Sequence, residues 1–369
     1  MKPIVKIFLS FLTISYSLTS TAQTINTAPL DAYWELTEKL KSGHTLADKE
    51  WLAFLEIEAN DIYIKNQAFD QDYLNRLRKT IEMVYKPGND SIVQELLKDP
   101  ITNWLTYKVS NYKINEGELK EFQKKFQQPD YVDTFYKNAW EWLPKRLHRK
   151  APATNVYLLG IENDAIAGGE LMILTLWSAY NYEKLEMGVL TGHEMHHILR
   201  EPISFKNIQE QDIGILYALN GILNEGSADM IDKKISLDSK DKLPFELVFT
   251  EFLLTNPDSI VIQLDANLTE SAQSDGELFK TEIDYRNLFN WSSGHNPGYY
   301  MADIIVRNGY KKQLVKNVQN PFAFIYLYNK AAKKDKKNPP IFSENSIKYV
   351  RGLEKKYWIK NVTTLPNKV

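Results

Sequence analysis

The sequence predicts a predominantly α-helical α+β protein. Apolar residues recur at helical spacing through most of the chain. Two short apolar runs, 156–159 and 171–177, have the length of strands instead. A hydrophobic content of 43% over 369 residues supports a sizeable core, in two domains or in one catalytic unit of two lobes.

The elements follow in order. Lys2 and Lys6 precede a largely apolar stretch from Ile4 to Leu18, and Ser20-Thr21-Ala22 supplies small residues behind it. This is the pattern of a secretory signal peptide over residues 1–22, with an uncleaved anchor as the alternative. No later run is long enough to span a bilayer, so the mature chain is expected to be soluble, in the periplasm or outside the cell. Cysteine is absent, which excludes disulfides and a lipid-modified cysteine after the signal. Residues 23–150 read as helical, with helix spacing over Asp31–Lys41, Asp48–Lys65, Asp70–Tyr85 and Glu116–Lys125. Pro87-Gly88-Asn89 and Asp99-Pro100 punctuate them. Trp34, Trp51, Trp104, Trp140 and Trp142 are expected to pack these helices together.

The pattern changes at Ala151-Pro152. Residues 151–235 hold the candidate catalytic core: strands at Val156–Leu159 and Leu171–Trp177, a small-residue stretch at Ala165–Gly169, and helices over Glu183–Arg200 and Asp212–Asp232. Pro202 is expected to stop the first of these helices. Residues 236–369 read as a helical C-terminal lobe, with a solvated charge run at Lys333–Lys337.

His193-Glu194-Met195-His196-His197 contains H-E-x-x-H. Positions i and i+4 share a helix face, so His193 and His197 can reach one ion. Zinc accepts imidazole nitrogen, and a catalytic zinc needs three protein ligands with a fourth position open to water. Glu194 stands beside the first ligand, where its carboxylate can serve as general base. His196 points about 100° away from His197 and reads as a flanking or surface residue. The third ligand comes from Asn224-Glu225-Gly226-Ser227-Ala228-Asp229, 28 positions beyond His197. Glu225 completes a His, His, Glu set, and Asp229, one turn on, is expected to accept a hydrogen bond from His193 and fix its tautomer. The plain alternative makes Glu225 a surface acid paired with Lys233.

H-E-x-x-H followed by E-x-x-x-D, with Asn ahead of the Glu, resembles the gluzincins, the thermolysin-like metallopeptidases. The matching residues are His193, Glu194, His197, Asn224, Glu225 and Asp229, and the resemblance spans roughly 155–235. It implies a zincin-like core with a small sheet over the active-site helix and a helical lobe below the cleft. The run Gly294-His295-Asn296-Pro297-Gly298-Tyr299-Tyr300 resembles the H-x-x-x-Y element of the oligopeptidase branch. The resemblance implies that His295 or Tyr299 steadies the oxyanion, with Tyr300 the weaker choice. Asn296 then reads as a helix N-cap and Pro297 as the first helical residue; a capped helix with buried rings is the alternative. By the same likeness the sheet edge near Ala165–Leu176 pairs with extended substrate, and Glu170 is a candidate for holding a free amino terminus.

The functional expectation is a zinc-dependent peptidase acting on a peptide or protein, with Zn²⁺ as its cofactor. A formal net charge of −2 argues against a nucleic-acid partner held by bulk charge. The alternatives are a zinc hydrolase of a non-peptide amide or ester, and a binding protein descended from a peptidase. Oligomeric state and substrate preference are not legible at this level.

Overall fold

Helices form where the apolar spacing demands them, and their ends follow local chemistry. The computed structural model describes residues 23–201, 204–239 and 245–359. The signal segment and Pro202 lie outside the described residues. After a short β1 (Ile25–Asn26) come eight helices: α1 (Ala28–Lys41), α2 (Asp48–Leu55), α3 (Glu58–Asn66), α4 (Gln71–Tyr85), α5 (Asp90–Leu96), α6 (Trp104–Ile114), α7 (Glu116–Phe126) and α8 (Pro129–Glu141). Asp70 caps α4 by accepting from the Tyr73 amide at 2.7 Å. The expected single helix over Asp48–Lys65 is two, broken at Glu56-Ile57. The buried Asn60 amide donates to the Phe54 carbonyl at 2.8 Å, satisfying an oxygen near the break.

A four-stranded sheet follows, built from β1, β2 (Asn155–Leu159), β3 (Ala165–Gly168) and β4 (Leu171–Thr175) in the order β1-β2-β4-β3. β2 runs parallel to β1 and β4, while β3 is antiparallel to β4 and forms an edge. The fold is therefore predominantly α-helical α+β, as the sequence predicts. Two details differ. Ala165–Gly168 is a strand, because it pairs along β4. The second strand ends at Thr175, and Leu176 opens a helix, α9 (Leu176–Glu183).

The expected helix over Glu183–Arg200 is interrupted as well. Gly188 takes a left-handed φ of +68° and starts α10 (Val189–Arg200). Then come α11 (Glu210–Ala228), α12 (Lys233–Asp238), a 3₁₀ stretch (Phe245–Leu254), α13 (Pro257–Gln273), α14 (Glu282–Leu288), α15 (His295–Arg307), α16 (Lys311–Lys316), α17 (Pro321–Ala332) and α18 (Glu344–Leu353). α11 stops at Ala228, short of the expected Asp232.

Two apolar cores divide these elements. One joins the N-terminal helices, the sheet and α10, through residues such as Tyr33, Ile81, Ile173 and Met195. The other joins α11 to the C-terminal helices, through Leu219, Ile222, Met301 and Phe322. α10 and α11 face each other across the seam. In the second core α11 and α15 cross with backbone against backbone. A Cβ on Gly226 would lie 2.3 Å from the Gly298 carbonyl oxygen, and one on Gly298 would lie 2.5 Å from the Ile222 oxygen. Only glycine permits that approach.

Gly226→Ala forces a methyl group into the facing backbone, so it is expected to destabilise the fold by roughly 1–3 kcal/mol despite alanine's better helix propensity. Urea or thermal denaturation checks this; a variant as stable as the wild type refutes the tight crossing.

Candidate metal centre

The i, i+4 spacing on α10 brings two imidazoles together. The His193 and His197 ring centroids are 4.8 Å apart, and their Nε2 atoms lie 3.0 Å apart. Glu225, near the C-terminal end of α11, points its Oε2 at the pair, 3.3 Å from His197 Nε2 and 3.9 Å from His193 Nε2. Its other oxygen, Oε1, accepts from Asn224 Nδ2 at 2.9 Å. His295 arrives from α15, with Nε2 3.3 Å from Glu225 Oε2. The helix begins at His295 itself, and Gly294, at φ +104°, takes the N-cap position expected of Asn296. Asn296 instead donates to the Phe252 and Thr255 carbonyls at 2.8 and 3.0 Å, tying α15 to the 3₁₀ stretch.

Beneath the imidazoles lie two buried carboxylates. Asp229 was expected to hold His193. It accepts instead from His295 Nδ1 at 2.9 and 3.0 Å and stays 3.9 Å from His193 Nδ1. His193 Nδ1 pairs with Asp232 at 2.8 Å. The reason is geometric: α11 ends before Asp229, and the chain turns to present Asp232 to α10 while Asp229 faces α15.

The charge balance is unusual for a buried site. Among the described residues, Glu194, Glu225, Asp229 and Asp232 supply four carboxylates, and the buried or nearly buried cations beside them are Arg200 and Lys233. In the metal-free chain the imbalance draws protons. Burial opposes charge on His193, yet the Asp232 carboxylate outweighs it and raises its pKa to about 10. Burial likewise opposes charge on His295, and Asp229 and Glu225 raise its pKa to about 9. Burial disfavours the Glu225 anion, but His295, His197 and His193 hold its pKa well below the usual carboxylate range. For Glu194 burial dominates and raises the pKa, against the pull of His193 and His197. His196 is fully buried rather than at the surface, and burial keeps it neutral.

Three donor atoms therefore converge from two helices: His193 Nε2, His197 Nε2 and Glu225 Oε2. Their mutual distances of 3.0, 3.3 and 3.9 Å bracket the spacing of about 3.3 Å expected between tetrahedral ligands at zinc bond lengths. The donor set is nitrogen and oxygen, and one divalent cation offsets the surplus negative charge. The residues fit a zinc ion.

The centre opens into a cleft of about 880 Å³ on the seam. His193, Glu194, His197, Glu225 and His295 line it together. The β3 edge forms one wall through Ala165, Ile166 and Ala167; the exposed rings of Phe252 and Trp291 stand elsewhere on its lining. Not every candidate comes here. Tyr299 is buried beside Asp303, Asp238 and Asp229, which with burial push its hydroxyl pKa up, and it does not line the cleft. The Tyr300 hydroxyl donates to Asp258. Glu170 is exposed at the β3–β4 turn, also outside the cleft lining.

Sequence reasoning missed Asp232, Asp164 and Trp291. Asp232 lies seven positions past Glu225, but α11 ends between them, so helix phase does not place it and the turn after Ala228 does. The other two enter through tertiary packing, which no local pattern announces.

Comparison with known families gives one match. The model of the family described as "Putative zinc dependent peptidase (DUF5700)" covers residues 51–337, more than three quarters of the chain. The chain belongs to this family. No curated protein and no solved structure matches it.

Asp232→Asn removes the acceptor that orients His193 while keeping its shape, so zinc affinity is expected to fall about 10–100-fold. Asp229→Asn, which acts on His295, is expected to leave affinity much nearer the wild type. Chelator competition on the two purified variants checks the order; equal losses would mean the two carboxylates are not divided as described.

Proposed function

We propose that this member of the family is an exported zinc peptidase of the gluzincin kind, hydrolysing peptide bonds at a centre formed by His193, His197 and Glu225. The observation that carries the reading is the meeting of their three donor atoms at the floor of one cleft with the Glu194 carboxylate beside them. When bound, zinc supplies Lewis acidity, acidifying a water and drawing charge from a carbonyl oxygen.

The chain's own groups do the rest. The β3 edge offers free backbone groups to an extended peptide, which orients it along the cleft. Glu194, buried and without a salt-bridge partner in hydrogen-bond contact among the described residues, accepts the proton of the attacking water and returns it to the leaving amine nitrogen. His295 Nε2 donates to the carbonyl oxygen as charge gathers there, while Asp229 holds its Nδ1 proton. With Tyr299 outside the cleft, His295 is the donor we favour for that role.

Export rests on the Lys2, Lys6 and Ile4–Leu18 pattern ahead of Ala22. Among the described residues no helix is long and apolar enough to cross a membrane. The partner is a peptide or protein substrate.

The test is metal analysis with a peptide-library digest. The mature chain is expected to carry about one zinc and to cut peptides. Glu194→Gln is expected to retain the zinc and lose hydrolysis; an active Glu194→Gln would remove Glu194 as the base. Glu225→Ala is expected to lose most bound zinc, and normal content would reassign the third ligand.

His295→Phe is expected to lower kcat by roughly 10²–10³ with little change in KM. Steady-state kinetics on a cleaved peptide decide it; an unchanged kcat would leave His295 a structural role only.

A further inference from the structure

The last turn of α10 buries a cation that no carboxylate among the described residues touches. Arg200 is fully buried, and its guanidinium makes three contacts to neutral oxygens. Nε donates to the Val318 carbonyl at 2.7 Å, one terminal nitrogen to Asn220 Oδ1 at 3.0 Å, and the other to Asn224 Oδ1. An arginine buried without a counter-ion in contact costs stability. The arrangement is explained by what it does to its neighbour.

Guanidinium nitrogens donate and never accept. The Asn224 amide therefore has one orientation, oxygen toward Arg200 and nitrogen away. That nitrogen donates to Glu225 Oε1 at 2.9 Å. With Oε1 engaged, Oε2 is the oxygen left facing His197 and His193, at 3.3 and 3.9 Å. Arg200 sits on the histidine helix, and Asn224 and Asn220 on the glutamate helix, so the same contacts hold the two ligand helices in register.

We infer that Arg200 and Asn224 form a positioning relay that makes Glu225 present a single oxygen, Oε2, to the metal. The inference rests on the zinc reading above. Arg200 lies outside the cleft lining and acts through Asn224, which stands on that lining and acts through Glu225.

The experiment compares wild type, Asn224→Ala, Arg200→Lys and the double variant. Zinc affinity is measured by chelator competition, and ligand geometry by the visible spectrum of the Co²⁺-substituted protein. Circular dichroism and thermal melts of the metal-free forms establish which variants fold. Lysine keeps the charge but cannot span three acceptors with one nitrogen. Each single variant is expected to lose roughly 10–100-fold in zinc affinity. Its Co²⁺ band is expected to weaken as the freed Oε1 joins the coordination sphere. The double variant is expected to be no worse than the weaker single one, because both changes break the same relay.

Folded variants with wild-type affinity and spectrum, or single losses that multiply in the double variant, overturn the relay. Asn224→Ala leaves the guanidinium two of its acceptors and decides the matter alone if Arg200→Lys does not fold. A wild-type chain that takes up no zinc overturns the zinc reading along with it, whereas a zinc-binding wild type with unaffected variants overturns the relay only.

Discussion

Excess negative charge, buried at the seam between two apolar cores, is the constraint from which the rest of the structure follows. Four carboxylates gather where low dielectric makes each one costly, and two fixed cations do not balance them. The remainder must go to protons or to a metal. Imidazoles are the groups able to accept either near neutral pH, and three of them stand there. Remove the charge imbalance and neither the Asp232–His193 nor the Asp229–His295 pairing has an electrostatic reason to be buried.

The scaffold serves this concentration of charge by bringing helices closer than side chains usually allow. α11 and α15 meet at Gly226 and Gly298, so that His295 can reach both Glu225 and Asp229 from its place at the start of a helix. On the other side of the seam, α10 is buried over nearly its whole length in the first core, which fixes the direction of the His193 and His197 rings. Arg200 then links the two sides through Val318, Asn220 and Asn224. Each of the three candidate donors is carried by a helix packed in a core, and two of them, His193 and Glu225, make a second contact on the atom turned away from the centre.

A similar division of labour holds in the N-terminal half. Lys108 on α6 makes a buried ion pair with Glu162, which also accepts from Tyr73. Glu162 adopts a left-handed backbone, φ +65°, in the loop that leads to β3. These contacts connect the helical layer to the loop holding Asp164, on the cleft lining, and so to the edge strand that walls it. The helices that lack chemistry of their own thus shape the space in which chemistry takes place.

The sequence by itself determined what local periodicity can carry. It marked the helical character of the chain and the strand-length runs at 156–159 and 171–177. It put His193 and His197 on one face with Glu194 between them, and Glu225 and Asp229 a turn apart. Each of these depends on residues within a few positions of one another, and backbone geometry converts that spacing directly into direction. Tertiary structure decided what spacing cannot. Helix breaks at Glu56 and Gly188 depend on a carbonyl finding Asn60 and on a left-handed glycine, against an otherwise continuous apolar pattern. The exchange of partners, Asp232 for His193 and Asp229 for His295, follows from where α11 ends and how α15 crosses it. Tyr299 and His295 are four positions apart on one helix, yet only His295 lines the cleft. Which end of that turn meets open space is set by the packing of the second core, and such packing is a property of residues far apart in the chain.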